Sequence, residues 1–133
     1  MHDPQPLTVN QILQHASPAD KQYRRIQWHN TQISVRKFLD VGEVADLVRL
    51  VMDMIINYEK KIFAPELKEF AIRAAVVGYY AVVEMPETLE DQYRVIMTTD
   101  LYDVVCKSIN QIQLQSIRDA VQMGVSAAIR ATI

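Results

Sequence analysis

The chain has 133 residues, of which 50% are hydrophobic and 23% are charged, and its formal net charge is −2. This composition is typical of one ordinary globular domain and argues against a disordered or collagen-like chain. Only 3 glycines and 5 prolines interrupt the sequence, which favours long helices over many short strands. A pI of about 5.9 argues against a nucleic-acid-binding protein, because such proteins usually carry a basic surface.

The charge is unevenly distributed along the chain. Residues 1–39 carry five Lys or Arg and two Asp, whereas residues 40–133 carry nine Lys or Arg and fourteen Asp or Glu. A basic N-terminal part on an acidic body suits head-to-tail contact between copies of the chain. A chance distribution would explain counts this small equally well.

The sequence predicts neither an export segment nor a membrane span. The first eleven residues, MHDPQPLTVNQ, lack the basic and then apolar stretches of a signal peptide. The uncharged run at residues 74–83, AAVVGYYAVV, is about half of the ~20 residues that a membrane helix needs. Cys106 is the only cysteine, so an internal disulfide is excluded and a reducing compartment is compatible.

Residues 1–22 are predicted to form an N-terminal arm with short helices. Thr8 and Gln11 have the spacing of a capping box, in which each side chain accepts a hydrogen bond from the backbone of the other residue. This helix is expected to end near Ala16. The stretch Ser17–Asp20 has a Ser cap followed by Pro, which predicts the start of a second short helix.

Residues 24–37 are predicted to form a β-hairpin. Apolar and polar residues alternate in two runs of about five, and Asn30 lies between them in a stretch suited to a tight turn. An isolated two-stranded hairpin is only marginally stable in water, so helices or another chain must complete it. The alternating apolar residues are Ile26, Trp28, Ile33 and Val35.

The remainder of the chain has helical periodicity. Asp40 and Glu43 predict a capped helix to about Tyr58, and its few polar residues form one stripe. Pro65 opens a second helix that is expected to reach about Val83. Further helices are predicted over about Glu87–Met97, after Thr98 or Thr99, and from about Gln111.

These elements predict a mainly α fold, a single-domain bundle of four to five helices with a small N-terminal β-hairpin. The arm would cover residues 1–22, and the helical domain would cover residues 23–133, including the hairpin at 24–37. The sequence shows no linker and no internal repeat within this domain.

No catalytic or metal-binding pattern is present in the sequence. His2, His15 and His29 do not have metal-ligand spacing. The carboxylate pairs Asp100/Asp103 and Glu66/Glu69 share helix faces, but both fall in first turns, where acidic residues favour the helix dipole. The sequence therefore predicts a non-enzymatic protein without cofactor, metal or small-molecule substrate.

Basic and aromatic residues around the hairpin predict a protein-interaction surface, because Arg and Trp are enriched at the energetic centres of interfaces. Basic residues beside aromatics also bind single-stranded nucleic acid, but four charges on an acidic chain make nucleic acid an unfavoured partner. Trp28 could instead plug the core, in which case replacing it would unfold the chain rather than impair assembly. The predicted interface residues are Arg24, Arg25, Ile26, Trp28, Ile33, Val35, Arg36, Lys37, Phe38, Tyr79 and Tyr80.

The stretch Ile33–Leu39, ISVRKFL, resembles a pattern in small proteins from the structural-gene modules of tailed bacteriophages. There, a strand of the type I-x-V-K-x-[YF]-L leads into a capped helix. A helix between Pro65 and Tyr80, a LYDVV helix and a long C-terminal helix extend the resemblance over about residues 24–131. The chain departs from the pattern at Leu39-Asp40, where Leu-Pro is expected.

The resemblance implies a virion or assembly protein, namely a connector, tail or capsid-associated subunit. Its partners would be itself, as a homo-oligomer, and other virion proteins, without a membrane. It would be made in the host cytoplasm and located in the virion. An alternative is a soluble phage-encoded binding protein that inhibits or modulates a host protein and is absent from particles.

Overall fold

A computed structural model describes residues 4–16 and 23–132 of the chain. The mainly α, single-domain prediction is confirmed, with a small antiparallel hairpin near the N-terminus. The second short helix predicted at Ser17–Asp20 lies outside the described residues. The elements are α1 (Val9–Leu13), β1 (Tyr23–Trp28), β2 (Thr31–Arg36), α2 (Val41–Ile55), β3 (Ile56–Asn57), β4 (Ile62–Phe63), a 3₁₀ turn (Pro65–Leu67), α3 (Lys68–Tyr80), α4 (Leu89–Thr98), α5 (Leu101–Cys106) and α6 (Gln111–Thr132).

The predicted hairpin is present as strands β1 and β2, which pair in register from Tyr23 opposite Arg36 to Trp28 opposite Thr31. A two-residue turn joins them. Asn30 lies in this turn, but it is His29 that adopts the left-handed backbone conformation, with a φ of 54°. Histidine is one of the few non-glycine residues that occur there with increased frequency.

The chain itself completes one side of the hairpin. Val35 forms an antiparallel bridge with Ala81, and the Val82 N–H donates to the Ser34 carbonyl at 2.9 Å. This pairing explains why α3 ends at Tyr80 rather than near Val83, since the following residues extend to meet β2. Strand β1 therefore remains the outer strand of the hairpin.

Helix α2 begins as predicted but ends earlier. The Asp40 side chain accepts from the Glu43 N–H at 2.8 Å, and the Glu43 side chain accepts from the Asp40 N–H at 3.3 Å, so the capping box is formed. The helix ends at Ile55 instead of near Tyr58. The next residues form a second, very small hairpin, β3 with β4, which the sequence reading missed.

The core lies around α3, which packs against α2, α4 and α5, while α2 also packs against α6. Helix α6 begins at Gln111, as predicted, and a break at residues 107–110 separates it from α5. Its apolar stripe faces the core, where Leu114, Ile117, Val121 and Val125 are buried. Within residues 4–16 and 23–132, no helix has both the length and the apolar character needed to cross a bilayer.

Candidate protein-interaction surface

Four of the eleven predicted interface residues are buried within this chain. Ile33, Val35 and Tyr80 belong to the hydrophobic core, and Arg36 is buried beside them. A partner could not reach these side chains without opening the fold. Sequence periodicity placed Ile33 and Val35 on one face of a strand, but it could not show that the helical body already covers that face.

Arg36 finds its acidic partner in its own chain rather than on a neighbour. Its two terminal nitrogens donate to the two carboxylate oxygens of Glu43, one of them at 2.8 Å. The Arg36 hydrogen bonds hold the pKa of Glu43 at about 2, well below its usual range. This ion pair ties the end of β2 to the first turn of α2. The buried Nε of Arg36 has no hydrogen-bond partner among the described residues.

Trp28 joins the hairpin to the helical body. Its ring is half-buried against the core, and the indole N–H donates to Asp100 Oδ1 at 2.8 Å, just before α5. The His29 ring stands edge-on to it, with a centroid distance of 4.8 Å. These contacts favour an internal role for Trp28, and they give Asp100 a structural partner.

The remaining basic residues of the predicted interface are exposed but do not form one cluster. Arg24 and Arg25 are neighbours in β1, opposite Val35 and Ser34 respectively, so their side chains leave opposite faces of the hairpin. Lys37 follows at the end of β2 and is exposed. Of the predicted aromatic residues, Phe38 is exposed and Tyr79 is half-buried.

Glu69, one member of the other carboxylate pair, contributes to a network that joins three helices. Glu69 accepts two hydrogen bonds from Arg118, at 2.9 and 3.1 Å, and one from Arg73 at 2.9 Å. Arg118 also donates to the hydroxyl of Tyr102, and the Arg73 guanidinium lies 4.8 Å from the centre of that ring. The network connects α3, α5 and α6.

The electrostatics of this network suit a structural role. The Arg118 hydrogen bonds lower the pKa of Glu69 to about 2, whereas a general acid or base needs a pKa near the working pH. The nearby Cys106 thiol is half-buried, and burial raises its pKa, which lowers its reactivity. Across the described parts of the chain, no group of three or more His, Cys, Asp or Glu is placed to hold a metal ion.

An apolar groove lies between the N-terminal ends of α2 and α6. Its volume is about 620 Å³, and its described lining contains no charged residue. Val41, in the first turn of α2, is 87% exposed, and Ile112, in the first turn of α6, is 83% exposed. This surface is named the α2–α6 groove below, and its apolar lining residues are Ala16, Phe38, Leu39, Val41, Val44 and Ile112.

The two helix starts beside this groove are capped by side chains, each of which accepts a hydrogen bond from one backbone N–H of the first turn. Asp40 caps α2, and the Asn110 side chain accepts from the Gln113 N–H at 2.9 Å in the first turn of α6. The groove is lined mainly by apolar side chains, together with the uncharged polar residues Asn110, Gln113 and Ser116. The sequence does contain a signal for these exposed apolar residues. Val41 directly follows the capping residue Asp40, and Ile112 lies two residues after the capping residue Asn110.

The described part of the N-terminal arm, residues 4–16, also presents apolar surface. The predicted capping box of α1 is formed, with the Gln11 N–H donating to Thr8 Oγ1 at 3.2 Å. No residue of α1 is buried. Leu7, Val9, Ile12 and Leu13 are all more than half exposed.

The arm and the α2–α6 groove are thus two surfaces without charged residues in their described parts. Of the residues that form them, only Phe38 was among the predicted interface residues.

Comparison of the chain with protein-family models, with curated proteins and with solved structures gives no match.

Proposed function

We propose that this chain is a non-enzymatic structural subunit of a tailed bacteriophage, a connector, tail or capsid-associated protein that works through repeated protein–protein contacts. The observation that carries the proposal is the apolar surface that the chain leaves uncovered. Large apolar side chains are exposed along the arm and beside the α2–α6 groove. Contiguous apolar patches on a soluble protein commonly mark interaction sites.

The resemblance of residues 24–131 to small phage structural proteins supports the virion part of the proposal. The pairing of half-buried carboxylates with arginines supports the proposal that the protein is not an enzyme. Glu43 and Glu69 are both held as ionised carboxylates by arginines, and the α2–α6 groove has no charged group among its described lining residues. A surface of this kind suits binding of another apolar surface better than acid–base chemistry.

The first test is the mass of the purified native chain across a concentration series, measured by light scattering behind a sizing column. A concentration-dependent oligomer of the 15.3 kDa chain is expected. Because the exposed contacts are apolar and uncharged, the oligomer should persist when the salt concentration is raised, whereas an assembly held by surface ion pairs would weaken.

The virion role is tested separately by the protein content of purified particles of the phage that encodes the chain. Stoichiometric presence in mature particles or in assembly intermediates is expected. Absence from both, together with a soluble complex with a host protein, would overturn the proposal in favour of an inhibitor or modulator of that host protein.

A further inference from the structure

We infer that the N-terminal arm of one copy docks in the α2–α6 groove of a neighbouring copy, so that subunits join head to tail. This inference rests on the proposed function, because it specifies the contact through which copies assemble.

The arm has the form of a docking helix. Val9, Ile12, Leu13 and Ala16 occupy positions i, i+3, i+4 and i+7, which lie on one face of a helix. Tight turns follow α1, since the Ala16 N–H donates to the carbonyl of Leu13, three residues before it, at 3.1 Å. An amphipathic helix that lays such a stripe into an apolar groove is a recurrent mode of protein recognition.

The helical domain of the same chain leaves this apolar stripe of the arm mostly uncovered. Ala16, the last residue of the stripe, lines the α2–α6 groove. Val9, Ile12 and Leu13 remain 71%, 55% and 61% exposed. The arm therefore touches the rim of its own groove without filling it, while Val41 and Ile112 stay exposed at the mouth.

The two surfaces are alike in carrying no charged side chain among their described residues. Residues 4–16 contain no Asp, Glu, Lys or Arg, although 23% of the whole chain is charged. The described lining of the groove likewise contains none of these residues. Docking would bury no unpaired ion, whereas a charged partner helix would lose hydration without gaining an ion pair in the groove.

The arm and the groove are different surfaces, so the contact is heterologous. Repetition of a heterologous contact produces a closed ring or an open filament.

The experiment uses one arm variant and one groove variant of the full chain. Ile12→Glu places a charge in the apolar stripe of the arm, and Ile112→Glu places a charge at the mouth of the groove. Leu89→Glu is the matched control, because Leu89 is 57% exposed in α4, close to the 55% of Ile12. All three side chains are largely exposed, so circular dichroism and thermal unfolding should match those of the wild type.

Light scattering then gives the decisive masses. At a concentration where the wild type and Leu89→Glu are oligomers, Ile12→Glu alone and Ile112→Glu alone should each be monomers. An equimolar mixture of the two should form a species of twice the chain mass and stop there. The mixture combines one intact arm with one intact groove, so a single contact can form and none can follow.

Two results from the variants overturn the inference while leaving the proposed function standing. The first is that both variants remain oligomers like the wild type. The second comes from Ile12→Cys combined with Ile112→Cys in a Cys106→Ser chain, oxidised and run on a non-reducing gel. Disulfide-linked dimers and larger species are expected, and a disulfide confined to one chain would mean that the arm folds onto its own groove.

A wild type that is monomeric at every concentration would also overturn the inference. The protein content of the particles would then be the remaining test of the proposed function, because a subunit that assembles only with a different virion protein is a monomer by itself.

Discussion

The side-chain amide of Gln113 bonds both backbone groups of Leu39. Its Nε2 donates to the Leu39 carbonyl at 2.9 Å, and its Oε1 accepts from the Leu39 N–H at 2.8 Å. The same oxygen accepts from the hydroxyl of Tyr80 at 2.5 Å. One residue of α6 therefore holds the corner where β2 leads into α2, a corner that would otherwise bury backbone groups without partners.

Replacing Gln113 by Ala should lower the free energy of unfolding by about 2–4 kcal/mol, because it leaves several buried polar groups unpaired. Urea unfolding followed by circular dichroism measures the change. Gln115→Ala is the control, since Gln115 is exposed on the same helix and bonds only Asp119 in the structure as described. Its effect should stay within about 0.5 kcal/mol, and equal losses in the two variants would contradict the bridging role.

Acid should destabilise the protein through Glu43 and Glu69. Arginine hydrogen bonds lower both pKa values to about 2 in the folded chain, whereas an unfolded Glu titrates near about 4.3. The unfolded state therefore binds more protons between these values. The resulting stability is fully present above about pH 4.5 and is lost as the pH falls toward about 2. Urea midpoints measured from pH 7 to pH 2 should fall over this window.

Glu69→Gln separates this effect from general acid unfolding. The variant should be less stable than the wild type at pH 7, because Arg118 and Arg73 lose their anionic partner. Its urea midpoint should fall less steeply below pH 4.5, since one of the two depressed carboxyl groups is gone. Parallel pH profiles for the two proteins would show that the ionised Glu69 contributes no net stability.

Much of the fold follows from local sequence signals. Capping at Thr8 and Asp40 depends on residues three apart, so both helix starts could be predicted. Helix ends were less predictable because they depend on distant partners. Helix α3 ends where Ala81 meets β2, and α2 ends where β3 meets β4, and neither pairing has a strong local signature.

The interaction surface was predicted less well than the fold. Alternation identified Ile33 and Val35 as one face of a strand, but an interface and a core require the same apolar residues. Val41 and Ile112 lie at helix starts. Whether an apolar residue there is buried or exposed depends on how the helices pack, which helix propensity does not indicate. Arg36 was predicted to be an interface residue because its internal partner Glu43 was interpreted only as part of a helix cap.

The Trp28–Asp100 hydrogen bond provides a direct test of whether Trp28 is internal. Trp28→Phe and Asp100→Ala should each lower the free energy of unfolding, and a double-mutant cycle should give a coupling of about 0.5–1.5 kcal/mol. The cycle is needed because Asp100 also lies at the positive end of α5. Urea unfolding of the four proteins supplies the coupling.

Asp103→Ala is the matched control for this cycle. Asp103 is an exposed acid in the first turn of the same helix, so its coupling to Trp28→Phe should be close to zero. If Trp28→Phe instead leaves the unfolding energy unchanged and reduces the mass of the oligomer, the tryptophan belongs to the interface and the internal assignment is wrong.

Two helical glycines should respond differently to substitution by alanine. A Cβ added at Gly78 in α3 would meet no atom within 4 Å among the described residues. Gly78→Ala should therefore raise the free energy of unfolding by about 0.5–1 kcal/mol, the usual preference of a helix for Ala over Gly. At Gly124 in α6 the added Cβ would lie 2.9 Å from Met52 Cε and 3.0 Å from its Sδ.

Because the end of the Met52 side chain is flexible, it can move aside, so Gly124→Ala should gain less than Gly78→Ala rather than unfold the protein. Urea unfolding of the two variants beside the wild type gives both changes. A larger gain at Gly124 would mean that the approach of α6 to α2 is looser than the contact with Met52 implies. A loss at Gly78 would mean that the open surface beside it is occupied in solution, which a lower oligomer mass for that variant would reveal.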